Sequence, residues 1–383
     1  MKLIKLKLSS SKKTSSIFSG TLWAALIFLL LLLALMNEYI LPRYFFYDSR
    51  TISSFIKLGT GFASGDSFSS TAAFYTLFGV ERNSIPFSLV SFFTVFLTFN
   101  FYLKKSKARS LDFFEFTLIA FLAVLSMAYM TALSKELIVL LFIAPFIFFS
   151  KRGLPGLIAW SFIALAYAFF FRTYWFLLIA MFWGIYIVFR FSRSVAVLIA
   201  AIPIALFALA VFFVFYLGVD LDSYRTLVND VRIESGDEDA RTMILPWVQG
   251  GGVLTGWLNS FITWITLMVP LPLFLLFSPY HMLISVLISI LFYKFWKAAL
   301  LEFHSKKSPE KAACFSLVIS FTALQCIFEP DYGSYVKHLS PFFPMIVYAI
   351  LKDTSASASK GTLKSLQNLV KASPRTNRTI EYR

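Results

Sequence analysis

Residues 17–36 read IFSGTLWAALIFLLLLLALM, twenty positions without a charge. A helix needs about 20 mainly apolar residues to cross the hydrocarbon of a bilayer. The run follows Lys2, Lys5, Lys7, Lys12 and Lys13. It is too long for a signal-peptide core and has no small-x-small cleavage site. It predicts an uncleaved first transmembrane helix, with the basic N-terminus in the cytoplasm.

The same signal recurs along the chain. Apolar runs predict further spans over 85–103, 113–132, 137–150, 154–171, 173–190, 195–217, 281–297, 313–328 and 339–351. Composition agrees: 58% of the residues are hydrophobic and only 14% charged, against about 45–50% and 25% in a soluble domain. A water-soluble or disordered chain is thereby excluded. The 46 Phe residues are expected to be lipid-facing and packing mass.

One apolar stretch, 257–279, is ambiguous, because it holds Asn259, Pro270, Pro272 and Pro279. The charges decide how to treat it. With ten spans and this stretch re-entrant or interfacial, 25 of the 35 Lys and Arg fall inside, and 14 of the 20 Asp and Glu fall outside. A full crossing would turn Lys294, Lys297, Lys306, Lys307 and Lys311 outward, against the positive-inside rule. The expected fold is therefore an all-α polytopic membrane protein of about ten transmembrane helices, with a re-entrant or interfacial segment near 257–279 and both termini cytoplasmic.

Residues 1–351 form one integral membrane domain in this reading, with long outer loops over 37–84 and 218–256. Residues 352–383 pass through SASAS into a basic tail of predicted disorder. The net charge of +15 then reports orientation and contact with anionic membrane lipid. It does not imply a nucleic-acid partner, since no soluble basic face exists.

Several chemistries have no motif here. The three His have no metal-binding spacing, and no phosphate-binding GxxxxGK[ST] is present. Asp48 and Asp66 are isolated acids in the first outer loop, so no metal or other cofactor is expected. Cys314 and Cys326 are expected to be small core residues.

Polar chemistry gathers instead at the outer boundary. EPDYGSYVKHLSPFFP, residues 329–344, packs Glu329, Asp331, Tyr332, Tyr335, Lys337 and His338 between two apolar runs. His338 suits a base near neutral pH, with Glu329 or Asp331 orienting it or taking the proton directly. Lys337 suits a phosphate; the competing reading is a solvated turn. Arg172, in AYAFFFRTYWFLLIA (166–180), is either a phosphate ligand or an interfacial anchor beside Tyr174 and Trp175. Lys135 and Glu136, in TALSKELIVLL (131–141), are either a ligand contact or a self-paired helix end. In the second outer loop Arg225, Arg232 and Arg241 alternate with acids. Ten residues separate Arg241 from Gly252, and likewise Arg50 from Gly61. Trp247, Trp257 and Trp264 suit either sugar stacking or an interfacial helix.

The layout resembles the Wzy-type bacterial polymerases of O-antigen and capsular polysaccharide repeat units. The likeness lies in ten or more spans, both ends inside and a large outer loop in the second half. SKE at 134–136, FRTYW at 171–175 and the 329–344 segment reinforce it. The resemblance implies metal-independent transfer of a glycan from undecaprenyl diphosphate to another lipid-linked repeat unit. The site would lie on the periplasmic face of the bacterial inner membrane. It implies a chain-length regulator and a flippase as partners. Under it, Arg172 and Arg241 hold the diphosphate, supported by Lys337, Lys135 and Arg50. His338 is the first choice of base and Glu329 the second; Asp331 and Tyr332 bind substrate. A lipid-linked glycosyltransferase or O-antigen ligase would share this site. A flippase or other transporter, the non-enzyme alternative, should show mid-span charges and repeat symmetry.

Overall fold

The computed structural model describes residues 5–6, 12–106, 110–234 and 240–351. The tail 352–383, Lys2, Lys7 and the acids Asp237, Glu238 and Asp239 lie outside them. Apart from a two-residue parallel pair, Lys5–Leu6 (β1) with Ser110–Leu111 (β2), and one isolated bridge, regular structure among the described residues is helical.

The apolar runs become helices whose ends are set by caps and prolines. Helix α1 spans Lys12–Leu35. The first expected outer loop is largely helical, with α2 at Asn37–Ile40, α3 at Tyr47–Lys57 and α4 at Ser67–Leu77. Asp66 caps α4, accepting from the amides of Phe68 and Ser69 at 3.0 and 3.1 Å. Helix α5 (Ile85–Lys105) starts behind Ser84, and α6 (Phe113–Met130) behind a capping box of Asp112 and Glu115. The expected span 137–150 is two helices, α7 (Lys135–Ile143) and α8 (Phe146–Lys151), because Pro145 cannot continue the ladder. Next come α9 (Leu154–Phe170), α10 (Trp175–Phe191) and α11 (Val195–Phe212), the last ending in a π turn over Phe213–Leu217.

The second expected loop contains α12, Ser223–Glu234. The ambiguous stretch forms α13 (Val253–Met268) and α14 (Leu271–Phe274), broken at Val269–Pro270. Helices α15 (Pro279–Ser305) and α16 (Pro309–Phe328) follow. The final expected span, 339–351, is preceded by a separate helix, α17 (Tyr332–Leu339), which passes through a 3-10 turn at Pro341 into α18 (Phe343–Ile350).

Among the described residues, five helices are long and apolar enough to cross a membrane: Ile85–Lys105, Phe113–Met130, Val195–Leu217, Pro279–Ser305 and Pro309–Phe328. The protein is thus all-α with helices suited to membrane insertion. Helix α16 is the central post and packs on α8, α10, α13, α15 and α18, whereas α11 stands at the edge. The Phe residues divide between two tasks. Phe146, Phe182, Phe292 and Phe303 are fully buried, while Phe191 and Phe215 are each 80% exposed, a surface that suits lipid and not water. Cys314 and Cys326 are buried free thiols on α16.

Contacts separate two ends of the bundle. At one end Lys311 Nζ donates to Leu351 O (2.6 Å), Lys306 Nζ donates to Phe189 O, and Lys294 sits over the Phe114 ring. At the other, Tyr75 donates to Ser134 O (2.7 Å), Leu133 N donates to Asn83 (2.8 Å) and Gly65 N reaches Phe169 O (3.3 Å). Helix α12 belongs to this second end and docks through a polar face, with Arg225, Asn229 and Arg232 at i, i+4 and i+7. Arg225 donates to Thr263 of α13 (2.8 Å) and to Cys326 O of α16 (2.9 Å). Asn259 of α13 accepts from the amides of Trp247 and Val248 at 2.9 and 2.8 Å. The middle of α13 therefore lies at the level of the α12 segment and of the end of α16. Gly252, at φ +92°, donates its amide to Asp220 (2.7 Å) in a turn that only glycine accommodates without strain.

Candidate functional site

Beyond α16 the chain must turn sharply, and Asp331 makes the turn by capping α17, accepting from Ser334 N at 2.7 Å. Tyr332, Tyr335, Val336 and Leu339 bury one face of α17. That seating leaves Lys337 and His338 beside the start of α7 and the 171–175 turn, so the three segments 134–136, 171–175 and 329–344 converge on one group.

His338 stands between two buried carboxylates. Its Nδ1 is 2.8 Å from Glu329 Oε2, and its Nε2 is 3.3 Å from Glu136 Oε1. Glu136 is 0% exposed and accepts from Arg172 Nη2 through the same oxygen at 3.2 Å. Arg172 Nη1 donates to the Tyr174 hydroxyl (2.7 Å), whose ring stacks on Phe328. Lys337 Nζ donates to Asp48 Oδ2 at 2.5 Å, and Lys135 Nζ lies 3.4 Å from the same oxygen. Lys135 also sits over the Phe68 ring, 3.8 Å from its centroid.

Burial and charge act against each other in this group. Burial alone would raise the Asp48 carboxyl, but Lys337 and Lys135 hold it well below the usual carboxylate range. Burial opposes the charge of Glu136 as well, and the neighbouring cations Lys337 and Arg172 act against it, so its pKa is lowered. Burial lowers the pKa of Lys135, against the pull of Asp48. Burial and then Arg172 push His338 well below its ordinary value, towards the neutral ring. Burial lifts Glu329 to about 7, where it exchanges a proton near neutrality.

Next to this group lies a cavity of about 510 Å3, and Lys337 and Asp48 belong to both. Arg232 and Arg241 supply two further cations to its wall, and Arg232 pairs with Asp331 at 2.8 Å. Tyr44, Tyr47, Tyr129, Tyr280 and Tyr332 supply aromatic surface. Three cations against two carboxylates suit an anionic ligand, and the rings suit stacking on a sugar face.

The candidate residues from the sequence fall into three places. His338, Glu329, Arg172, Lys135 and Lys337 are together in the buried group. Arg241, Asp331 and Tyr332 line the cavity with Lys337. Arg50 is exposed on α3 and lies outside both. Arg172, 6% exposed, has its guanidinium engaged by Glu136 and Tyr174. Trp257 donates to Pro203 O and Trp264 to Thr322, both within the bundle. Sequence reasoning did not select Glu136, Asp48, Tyr174 or Arg232 for the site. Each carried a signal: a carboxylate at the end of an apolar run, a lone acid within RYFFYDSR, a Tyr two residues from Arg172, and an Arg in a charged outer stretch. Among the described residues no His, Cys, Asp and Glu side chains group in threes to hold a metal ion.

Comparison with protein-family models, with characterised proteins and with solved structures gives no match to this chain.

Proposed function

We propose that the chain is a metal-independent glycosyltransferase that polymerises lipid-diphosphate-linked glycan repeat units at the outer face of the bacterial inner membrane. The observation that carries this reading is the joint at Lys337. There a cavity lined by cations and aromatic rings adjoins a buried imidazole–carboxylate group. The donor diphosphate lies against Arg241, Arg232 and Lys337, whose charges stabilise it as it leaves with the bonding electron pair. The acceptor hydroxyl attacks the anomeric carbon and its proton passes to the His338–Glu329 couple. Both substrates are anchored in one bilayer, so proximity contributes much of the acceleration.

The topology proposed with it has ten passes, with α7 and α8 sharing one and α17 leading into α18. Both termini face the cytoplasm and α13–α14 is re-entrant. The bonds from the middle of α13 to Trp247, Val248 and Arg225 support the re-entrant part.

Reconstituted proteoliposomes test the reading. Given an undecaprenyl-diphosphate-linked repeat unit, the wild-type chain is expected to produce a ladder of products in the presence of EDTA. Arg241→Ala is expected to raise KM about ten- to a hundredfold, the loss of a charge-assisted hydrogen bond. Movement of the lipid between leaflets without bond formation would overturn the reading in favour of a transporter.

A further inference from the structure

Glu136 performs no step in the mechanism above, yet it touches both Arg172 and His338. We propose that Glu136, His338 and Glu329 form a proton-holding site in which Glu136 is the positioning residue. It fixes the His338 ring with its proton on Nε2, so that the Nδ1 lone pair shares one further proton with Glu329, and Ser334 links that pair to the cavity. The catalytic consequence rests on the polymerase reading; the protonation pattern does not.

The distances impose the pattern. An ionised carboxylate only accepts hydrogen bonds, and a neutral imidazole has one N–H and one lone pair. Arg172 stabilises the charge on Glu136, so the His338 nitrogen that faces this anion at 3.3 Å, Nε2, is the one that carries a proton. Nδ1 is then an acceptor, and its 2.8 Å approach to Glu329 Oε2 places two acceptors face to face. A proton must lie between them, and Glu329 supplies it. The alternative, an imidazolium between two carboxylates, holds the same protons but buries two more charges, one on the ring and one on Glu329, and burial opposes both. The charged and titratable groups around the ring are Asp48 from α3, Lys135 and Glu136 from α7, Arg172 and Tyr174 from the 171–175 turn, and Lys337 from α17. Glu329 also feels Arg232 of α12. The directions agree with the geometry: burial first, then Arg172, drives His338 neutral, and burial lifts Glu329 to about 7.

Ser334 lines the cavity, and Glu329 Oε1 is buried with no hydrogen-bond partner among the described residues, able to take a proton that the Ser334 hydroxyl hands over. With Glu329 ionised, the acceptor O–H bond breaks as the new bond to the anomeric carbon forms. The proton goes to the Ser334 oxygen while the Ser334 hydroxyl proton passes to Glu329. The bond from the anomeric carbon to the diphosphate breaks, and its electron pair leaves on the diphosphate oxygen. Glu329 then shares its proton with His338 Nδ1 until it returns through Ser334 to the cavity.

Nitrogen-15 NMR of the full chain in nanodiscs, with labelled His, tests this. The protein has three His, and the His338 signals are those lost in His338→Gln. From pH 6 to 8.5 the expected ring is neutral, protonated on Nε2, with an Nδ1 shift that follows a titration near 7. Glu136→Gln is expected to give a mixture of the two tautomers, and Glu329→Gln to abolish the titration. A proton on Nδ1, an imidazolium across the whole range, or an unchanged tautomer in folded Glu136→Gln would overturn the proposal. If Glu136→Gln does not fold, the wild-type and Glu329→Gln spectra decide. In the polymerase assay the wild-type rate should rise with pH through about 7. Glu136→Gln should lower kcat about 10²-fold with KM held. The expected tautomer with no glycosyl transfer by the wild type would sink the polymerase reading and leave the site. An active polymerase with the wrong tautomer would do the reverse.

Discussion

Arg172 and Arg225 are buried arginines at the same end of the bundle, held in different ways. Arg225 is 0% exposed and donates to a hydroxyl and a backbone carbonyl, with Asp222 at a longer 3.4 Å. These partners join α12, α13 and α16. Arg172 donates to Glu136, and that carboxylate also faces His338. A buried cation is costly in either place. The use made of it differs: Arg225 fastens helices, whereas Arg172 fixes the charge of a carboxylate that in turn sets an imidazole. Burial of a charge does not by itself identify a site. A counter-charge shared with a titratable group does.

Removing the fastener should have the largest effect. Arg225→Ala is expected to cost about 3–5 kcal/mol, the range for breaking a buried charged pair. Thermal unfolding in detergent would show the loss, and limited proteolysis should cut within 218–252. An Arg225→Ala protein as stable and as protease-resistant as the wild type would erase the contrast with Arg172.

The second prediction separates the two regions by pH. Glu329 has its folded-state pKa raised to about 7, above the ordinary carboxyl value. The folded chain therefore holds this proton more tightly than the unfolded chain does. Its contribution to stability is full below about pH 4, falls as pH rises towards 7, and levels off above. Glu329→Gln removes that dependence. It should match the wild type at pH 4 and exceed it at pH 8 by about 3 kcal/mol, while losing transfer activity. Equal stabilities at pH 8 would show that Glu329 is ionised without penalty, and the distinction between a static Arg225 and a proton-linked Arg172 group would fail.

How much was legible beforehand follows from which forces are local. A transmembrane span is a property of about 20 consecutive residues, so the apolar runs locate the helices well. Pro145 and Pro341 interrupt two of them because a proline breaks a ladder without lowering hydropathy much. The helix inside 218–256 escaped notice because α12 docks with Arg225 and Asn229 inward, the reverse of the usual amphipathic rule. At the site, Glu329, Lys337 and His338 stand out as polar residues crowded between apolar runs. Their partners do not. Asp48 is 289 residues from Lys337, and nothing local marks it as the acid that Lys337 meets. Glu136 looks locally like the partner of Lys135, and only the tertiary fold gives it to Arg172 and His338.

Arg232 supplies the smallest effect and the finest test. It lies seven residues after Arg225 on the same helix face, but its side chain is 32% exposed where it meets Asp331. Solvent screens such a pair, so Arg232→Ala should cost no more than about 1 kcal/mol. Asp331 keeps its capping bond to Ser334 N, so α17 should stay seated. If Arg232 serves the cavity, the variant should raise KM severalfold for a diphosphate-linked glycan and leave kcat unchanged. A loss of stability as large as that of Arg225→Ala, with KM unaltered, would make Arg232 a second fastener and leave Arg241 and Lys337 as the cations of the cavity.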